Sequence, residues 1–212
     1  MIKLRPTIDY SLYLIADAEY ASGRDLVPLI EEAVKGGVTV VQVRGKGLPF
    51  DDFLELARRL KTVLKPRRVP LLINDRVDIA LASGAAGVHL GQEDMPPALA
   101  RKMLARNTVI GNSVNTPEEA REAERQGANY VGLGPVFATA TKATDLPVVG
   151  PEGIRAVRDK ISIPIVAIGG ITPRNAGAVR EAGADGIAVV SSILGAQDAR
   201  KAARELKKAF GA

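Results

Sequence analysis

Residues 71–94 read LLINDRVDIALASGAAGVHLGQED. Two apolar runs of strand length, 70–73 and 87–90, each stop at a polar cluster that ends in a carboxylate, Asp75 after the first and Asp94 after the second. Between them Val77, Ala80 and Leu81 recur at helical spacing, so the stretch reads as strand, helix, strand. Strands joined by a crossover helix run parallel, which brings both exits to the same side of the sheet. Asp75 and Asp94 then stand where they can share a divalent cation.

The same alternation runs along the whole chain. Strand-like runs fall at 12–16, 38–43, 71–73, 87–90, 109–112, 130–133, 165–168 and 187–190, and helical patterns at 26–35, 51–65, 76–83, 98–106, 117–126, 153–160, 174–182 and 198–210. A weak repeat supports the count: Gly36-Gly37, Gly84, Gly127 and Gly183 each end a helix and launch an even-numbered strand, a position that favours a left-handed residue. Eight units with nearly continuous Val/Ile/Leu strands suit a closed barrel better than an open doubly wound sheet, although periodicity alone does not show closure. The expected fold is a compact α/β (β/α)8 TIM barrel, one domain over residues 1–212.

Composition narrows the function classes. The chain is 46% hydrophobic, and no apolar run approaches the roughly 20 residues of a membrane-spanning helix, so no membrane partner is expected. The N-terminal residues break their apolar run with Arg5, Pro6 and Asp9 and do not resemble a secretory signal. Zero cysteines exclude disulfides and thiol catalysis and fit a cytoplasmic location. The net charge of +5 is spread over helical faces beside Glu and Asp. With four Phe, four Tyr and no Trp, nucleic acid is not the expected partner. A modest positive field favours phosphorylated small molecules. A homo-oligomer is compatible with the sequence.

In a barrel of this kind the chemistry belongs at the C-terminal strand ends. Asp17 follows the first strand. Strand alternation turns Gln42 and Arg44 into the mouth, with Lys46 just beyond; the set asks for a phosphate or pyrophosphate, unless Arg44 only pairs with a neighbouring carboxylate. Asn74, Asp75 and Asp94 end the third and fourth strands, and hard oxygens beside phosphates point to Mg²⁺, one per site. Helix capping is the competing reading for both aspartates. The single histidine, His89, reads as a barrel-lining residue rather than a general base. Ser113 ends the fifth strand without an acid–base partner in the sequence, which argues against a nucleophilic triad. The sixth strand leads into a long connection through Thr139, Thr141 and Lys142 to Val149, read as a lid. Gly169-Gly170 and Val190-Ser191 follow strands seven and eight, where barrels commonly hold a phosphate. The mouth thus carries two anion sites, for two phosphorylated substrates or one bisphosphate.

The runs Gln42-Val-Arg-Gly-Lys46, Asn74-Asp-Arg-Val-Asp78, Val88-His-Leu-Gly-Gln-Glu-Asp94, Gly111-Asn-Ser113, Gly134-Pro-Val-Phe-Ala-Thr-Ala-Thr-Lys142, Ala167-Ile-Gly-Gly-Ile171 and Val189-Val-Ser191 resemble those of thiamine phosphate synthases, in the same order and at compatible spacing over about 12–206. The resemblance implies a transferase that condenses a pyrimidinylmethyl diphosphate with a thiazole phosphate, or its carboxylate, releasing pyrophosphate by a dissociative, Mg²⁺-assisted path. Carried over to matching positions, it implies that Gln42, Arg44, Lys46, Asn74, Ser113 and Lys142 contact the pyrimidine diphosphate. Among these, Arg44, Lys46, Ser113 and Lys142 are the catalytic set. Asp75 and Asp94 would hold Mg²⁺, and Thr139, Thr141, Gly170, Val190 and Ser191 would receive the thiazole phosphate.

Three positions depart from the family pattern: Gly45 where Glu is usual, Ala138 where Pro is common, and Asn115 where His is frequent. The last bears on a competing enzyme reading, thiazole tautomerase, which resembles this fold and uses a histidine at that place. A catalytically silent barrel that binds thiamine precursors is the alternative from another class.

Overall fold

The computed structural model describes residues 8–139, 141 and 146–212. Eight parallel strands close in sequence order into one barrel: β1 (Leu12–Asp17), β2 (Val40–Arg44), β3 (Leu71–Asn74), β4 (Gly87–Leu90), β5 (Val109–Val114), β6 (Tyr130–Leu133), β7 (Ile165–Ile168) and β8 (Gly186–Val189). The closing pair is β8 with β1, in the register Tyr13 to Ala188. Closure excludes the open doubly wound sheet.

The helices are α1 (Ala18–Ala21), α2 (Leu26–Lys35), α3 (Phe50–Leu64), α4 (Val77–Ser83), α5 (Pro97–Met103), α6 (Pro117–Arg125), α7 (Gly150–Arg158), α8 (Ala176–Glu181), α9 (Ser191–Leu194) and α10 (Ala199–Phe210). Eight of them match the sequence expectation to within three residues at either end. α1 and α9 are four-residue additions at the mouth. The glycine repeat has its conformational reason: Gly37, Gly84, Gly127 and Gly183 all take positive φ. No described helix is long and apolar enough to cross a membrane.

The twofold side-chain alternation of each strand divides the apolar residues into two cores. Leu12, Leu14, Val41, Val43, Leu71 and Ile73 face outward and pack with helix residues such as Ile30, Phe53, Leu60 and Leu206. Tyr10, Tyr13, Ile15, Val40, Leu72, Val109, Tyr130, Val166 and Ala188 fill the interior. The interior is crowded around Tyr130, whose ring lies 4.7 Å from that of Tyr10 and 6.0 Å from that of Tyr13. Gly111, paired with Tyr130 across β5 and β6, leaves the space the ring occupies, since a Cβ there would overlap it. Gly111→Ala is therefore expected to cost about 1–3 kcal/mol, the usual range for overpacking. Urea unfolding measures it, and a loss below about 0.5 kcal/mol would mean that the ring has room to move.

Candidate active site

A cavity of about 910 Å³ opens at the C-terminal strand ends. Gln42 and Arg44 line it as alternation on β2 predicts, together with Asn74 and Ser113. Thr139, Thr141, Gly170, Val190 and Ser191 line the wall built by β7, β8 and the connection after β6. Nine of the sequence-predicted residues therefore meet in one space. Lys46 is exposed in the turn after β2 and is not part of the lining. Lys142 lies outside the described residues.

Arg44 satisfies both of its sequence readings. It lines the cavity, and its Nη1 donates to Asp17 Oδ2 at 2.6 Å, with Glu19 farther off at 3.7 Å. The Arg44 and Asp17 side chains are 18% and 12% exposed, so the pair is shielded well enough to matter. Asp17 has a second task, because its Oδ1 accepts from the backbone N–H groups of Glu19 and Tyr20 and caps α1. One carboxylate thus orients the arginine and starts the short helix beside it.

Neither candidate metal ligand caps a helix. The cap residue of α4 is Arg76 and that of α5 is Pro96, so the capping reading fails for Asp75 and for Asp94. Asp75 instead holds a left-handed backbone, φ 61°, while its N–H donates to the His89 carbonyl at 2.8 Å. A non-glycine residue there costs energy and turns the strand exit sharply. Asp94 Oδ2 accepts from Gly91 N–H at 2.6 Å and borders a smaller cleft with Gln92, Asn112 and Glu119. Among the described residues no group of three or more His, Asp or Glu side chains could hold a metal. Neither Asp75 nor Asp94 is among the residues that line the cavity; by donor chemistry alone, carboxylate oxygens are the ligands that a hard cation such as Mg²⁺ takes, with substrate oxygens and water completing its shell.

Ser113 requires a correction. Its Oγ lies 2.9 Å from His89 Nε2, a partner contributed by β4 that sequence separation concealed. His89 Nδ1 meets the Tyr130 hydroxyl at 2.8 Å rather than a carboxylate, so the arrangement is not a triad. His89 is barrel-lining as expected, and Gly132 opposite it leaves room for the ring: a Cβ there would stand 2.9 Å from His89 Cε1.

On the other wall, Thr141 Oγ1 and Ser191 Oγ are 2.9 Å apart and join the β6 connection to α9. Val136 N–H donates to the Ile168 carbonyl and Phe137 N–H to that of Gly169. A Cβ on Gly170 would overlap the Ala138 carbonyl, so this glycine admits a neighbouring backbone as well as leaving its own within reach of a ligand. Of the departures from the family pattern, Gly45 is buried under Leu48 and Phe53, where a Cβ would stand 2.9 Å from Leu48 Cδ1. Asn115 Nδ2 donates to the Gly134 carbonyl, and Asn115 does not line the cavity. Asp17→Ala is expected to lose about 1–3 kcal/mol of stability, since it removes a helix cap and leaves a half-buried guanidinium unpaired. Chemical denaturation reads the loss, and a change below about 0.5 kcal/mol would mark the pair as energetically silent.

Known proteins resemble this chain over most of its length. Residues 12–193 match the family described as thiamine monophosphate synthase. The chain is 50% identical over 200 residues to the thiamine-phosphate synthase of Syntrophomonas wolfei, covering 94% of this chain and 96% of that one. It is 45% identical over 205 residues to the corresponding protein of Natronomonas pharaonis, covering 96% of each. A solved structure of thiamine phosphate pyrophosphorylase from Pyrococcus furiosus superposes with a TM-score of 0.88 at 42% identity, covering 95% of this chain and 96% of that one. At 21% identity and a TM-score of 0.67, a 3-hexulose-6-phosphate synthase shares the fold alone. A closed barrel, a polar mouth and relatives that match almost end to end lead to one conclusion: the chain belongs to the thiamine-phosphate synthase family of transferases.

Proposed function

We propose that the cavity joins a pyrimidinylmethyl diphosphate to a thiazole phosphate, or to its carboxylate derivative, and releases pyrophosphate. The observation that carries this reading is the single cavity with two polar walls, Gln42, Arg44, Asn74 and Ser113 on one and Thr139, Thr141, Gly170 and Ser191 on the other. Two phosphorylated reactants need two such walls, and the atoms to be joined must meet between them. Ile15, Ile168 and Ala188 line the space between.

The chemistry needs no nucleophilic side chain. The methylene C–O bond breaks with its electron pair leaving on pyrophosphate, and the thiazole nitrogen supplies the pair for the new C–N bond. Arg44 opposes charge that grows on the departing oxygens, an electrostatic contribution that increases toward the transition state, and the family resemblance assigns Lys142 the same task. Ser113 and Gln42 orient the diphosphate. Asp75 and Asp94 would hold Mg²⁺, which would supply further neutralisation of the diphosphate. Water has to be kept from the mouth during the reaction, since it would otherwise capture the pyrimidine cation. Asn115 disfavours the tautomerase reading, since it is not a histidine and its amide is spent on the Gly134 carbonyl. The absence of cysteine suits work in a reducing cytoplasm.

Supplied with both substrates and Mg²⁺, the purified protein is expected to form thiamine phosphate and pyrophosphate in equal amounts, and to form neither when one substrate or the metal is withheld. Metal-free turnover of the thiazole carboxylate alone would replace the synthase with a tautomerase, and binding without turnover would leave a silent barrel. Arg44→Ala is expected to lower kcat by roughly 100- to 1000-fold, the scale of one lost transition-state donor. A rate within threefold of wild type would remove Arg44 from the leaving-group role.

A further inference from the structure

Five side chains from five strands form an unbroken hydrogen-bonded line through the barrel interior to its mouth. Gln42 Nε2 lies 2.6 Å from the Tyr13 hydroxyl, Tyr13 lies 2.8 Å from the Tyr130 hydroxyl, Tyr130 lies 2.8 Å from His89 Nδ1, and His89 Nε2 lies 2.9 Å from Ser113 Oγ. Tyr13 and Tyr130 are 1% and 0% exposed, and both Gly111 and Gly132 lack side chains where the rings of Tyr130 and His89 stand. Phenylalanine would fill the same space without the hydroxyl groups.

We propose that this line is a directional relay in which Tyr13, Tyr130 and His89 are positioning residues that turn the Ser113 hydroxyl hydrogen into the cavity as a donor to the departing pyrophosphate. The direction follows from the first link. An amide N–H only donates, so the Tyr13 oxygen accepts from Gln42 and turns its own hydrogen to Tyr130. Tyr130 then holds a hydrogen for His89 Nδ1, which accepts, and a neutral imidazole in that state carries its hydrogen on Nε2. Ser113 accepts from Nε2, and its own hydrogen is left for the mouth, which both residues line. Burial pushes the phenols of Tyr13 and Tyr130 up, so both keep the hydrogens that the line requires at neutral pH.

The reverse direction would have Ser113 donate to His89 and present lone pairs to an anion. Pyrophosphate oxygens only accept, so one of the two directions serves the leaving group and the other opposes it. The identity of that acceptor rests on the synthase reading above. The direction of the relay does not.

The chain has a single histidine, so selective ¹⁵N labelling of histidine yields the ring signals of His89 alone. In the ligand-free protein Nε2 is expected to carry the hydrogen and Nδ1 to be bare. Tyr130→Phe keeps the ring and cuts the line; it is expected to release the tautomer into an average of both forms and to lower kcat about tenfold, the worth of one well-placed hydrogen bond, with KM values within twofold. Tyr13→Phe, which leaves the Tyr130 to His89 link intact, is expected to do the same more weakly and serves if Tyr130→Phe does not fold. A hydrogen on Nδ1 in the wild type, or a doubly protonated ring, overturns the relay. So does a Tyr130→Phe protein that loses stability while keeping wild-type tautomer and kcat, because the tyrosine is then packing alone. A wild type with no synthase turnover overturns the reaction instead, and the tautomer signals still decide the relay.

Discussion

The Tyr130 hydroxyl, hydrogen-bonded to both the Tyr13 hydroxyl and His89 Nδ1, is the interaction on which the interior and the mouth both depend. A closed eight-stranded barrel has little interior volume, and its layers are ordinarily filled by branched aliphatic residues. Here three tyrosines, Tyr10, Tyr13 and Tyr130, share that space with Leu72, Val109 and Val166. Rings of this size fit only because glycine occupies β5 and β6 at 111 and 132, directly against Tyr130 and His89. A buried phenol without a partner would cost more than its packing returns, and the Tyr13 and Tyr130 hydroxyls meet that need inside the barrel. The partners available in that direction are Gln42 below the mouth and His89 at it.

The same constraint governs the charged residues. A guanidinium held at the rim of an apolar barrel needs a partner when no anion is bound, and Asp17 fills that role at 2.6 Å. Asp17 is itself anchored by two backbone N–H groups of α1, so pairing with Arg44 does not set its position. Arg44 is thereby held in line with Gln42, two residues earlier on the same face of β2. A preorganised cation loses less conformational entropy when an anion arrives than one that must be gathered from solvent.

What the sequence disclosed and what it withheld divide along the range of the interaction involved. Strand alternation is local, and it was enough to place Gln42 and Arg44 on the cavity wall and Val41 and Val43 behind them. Helix positions, also local, came within a turn. Pairings that depend on register across strands were not legible: His89 and Ser113 are 24 residues apart, and their contact exists because His89 pairs with Gly111, two residues before Ser113 on the same face. The glycines at 111 and 132 were the one available signal, small residues on strands beside a strand tyrosine. Capping was the reverse case, a local rule that failed for Asp75 and Asp94 because their backbones follow strand exits rather than helix entries. Lys46 followed β2 in sequence but left the barrel with the turn that succeeds it.

The two walls of the mouth are built on different principles, and the difference bears on what each can do. The Arg44 wall is carried by strands β2 to β5, whose neighbours on both sides fix each side chain to a small range of positions. The Ser191 wall is carried by connections: Phe137 and Ala138 lie against Gly169 and Gly170, and Thr141 meets Ser191 through their hydroxyl groups. A wall of strands cannot move without breaking the barrel. Bond cleavage that separates charge benefits most from groups that need no rearrangement as the charge develops. On the reaction proposed above, the strand-built wall is therefore the one suited to the departing diphosphate.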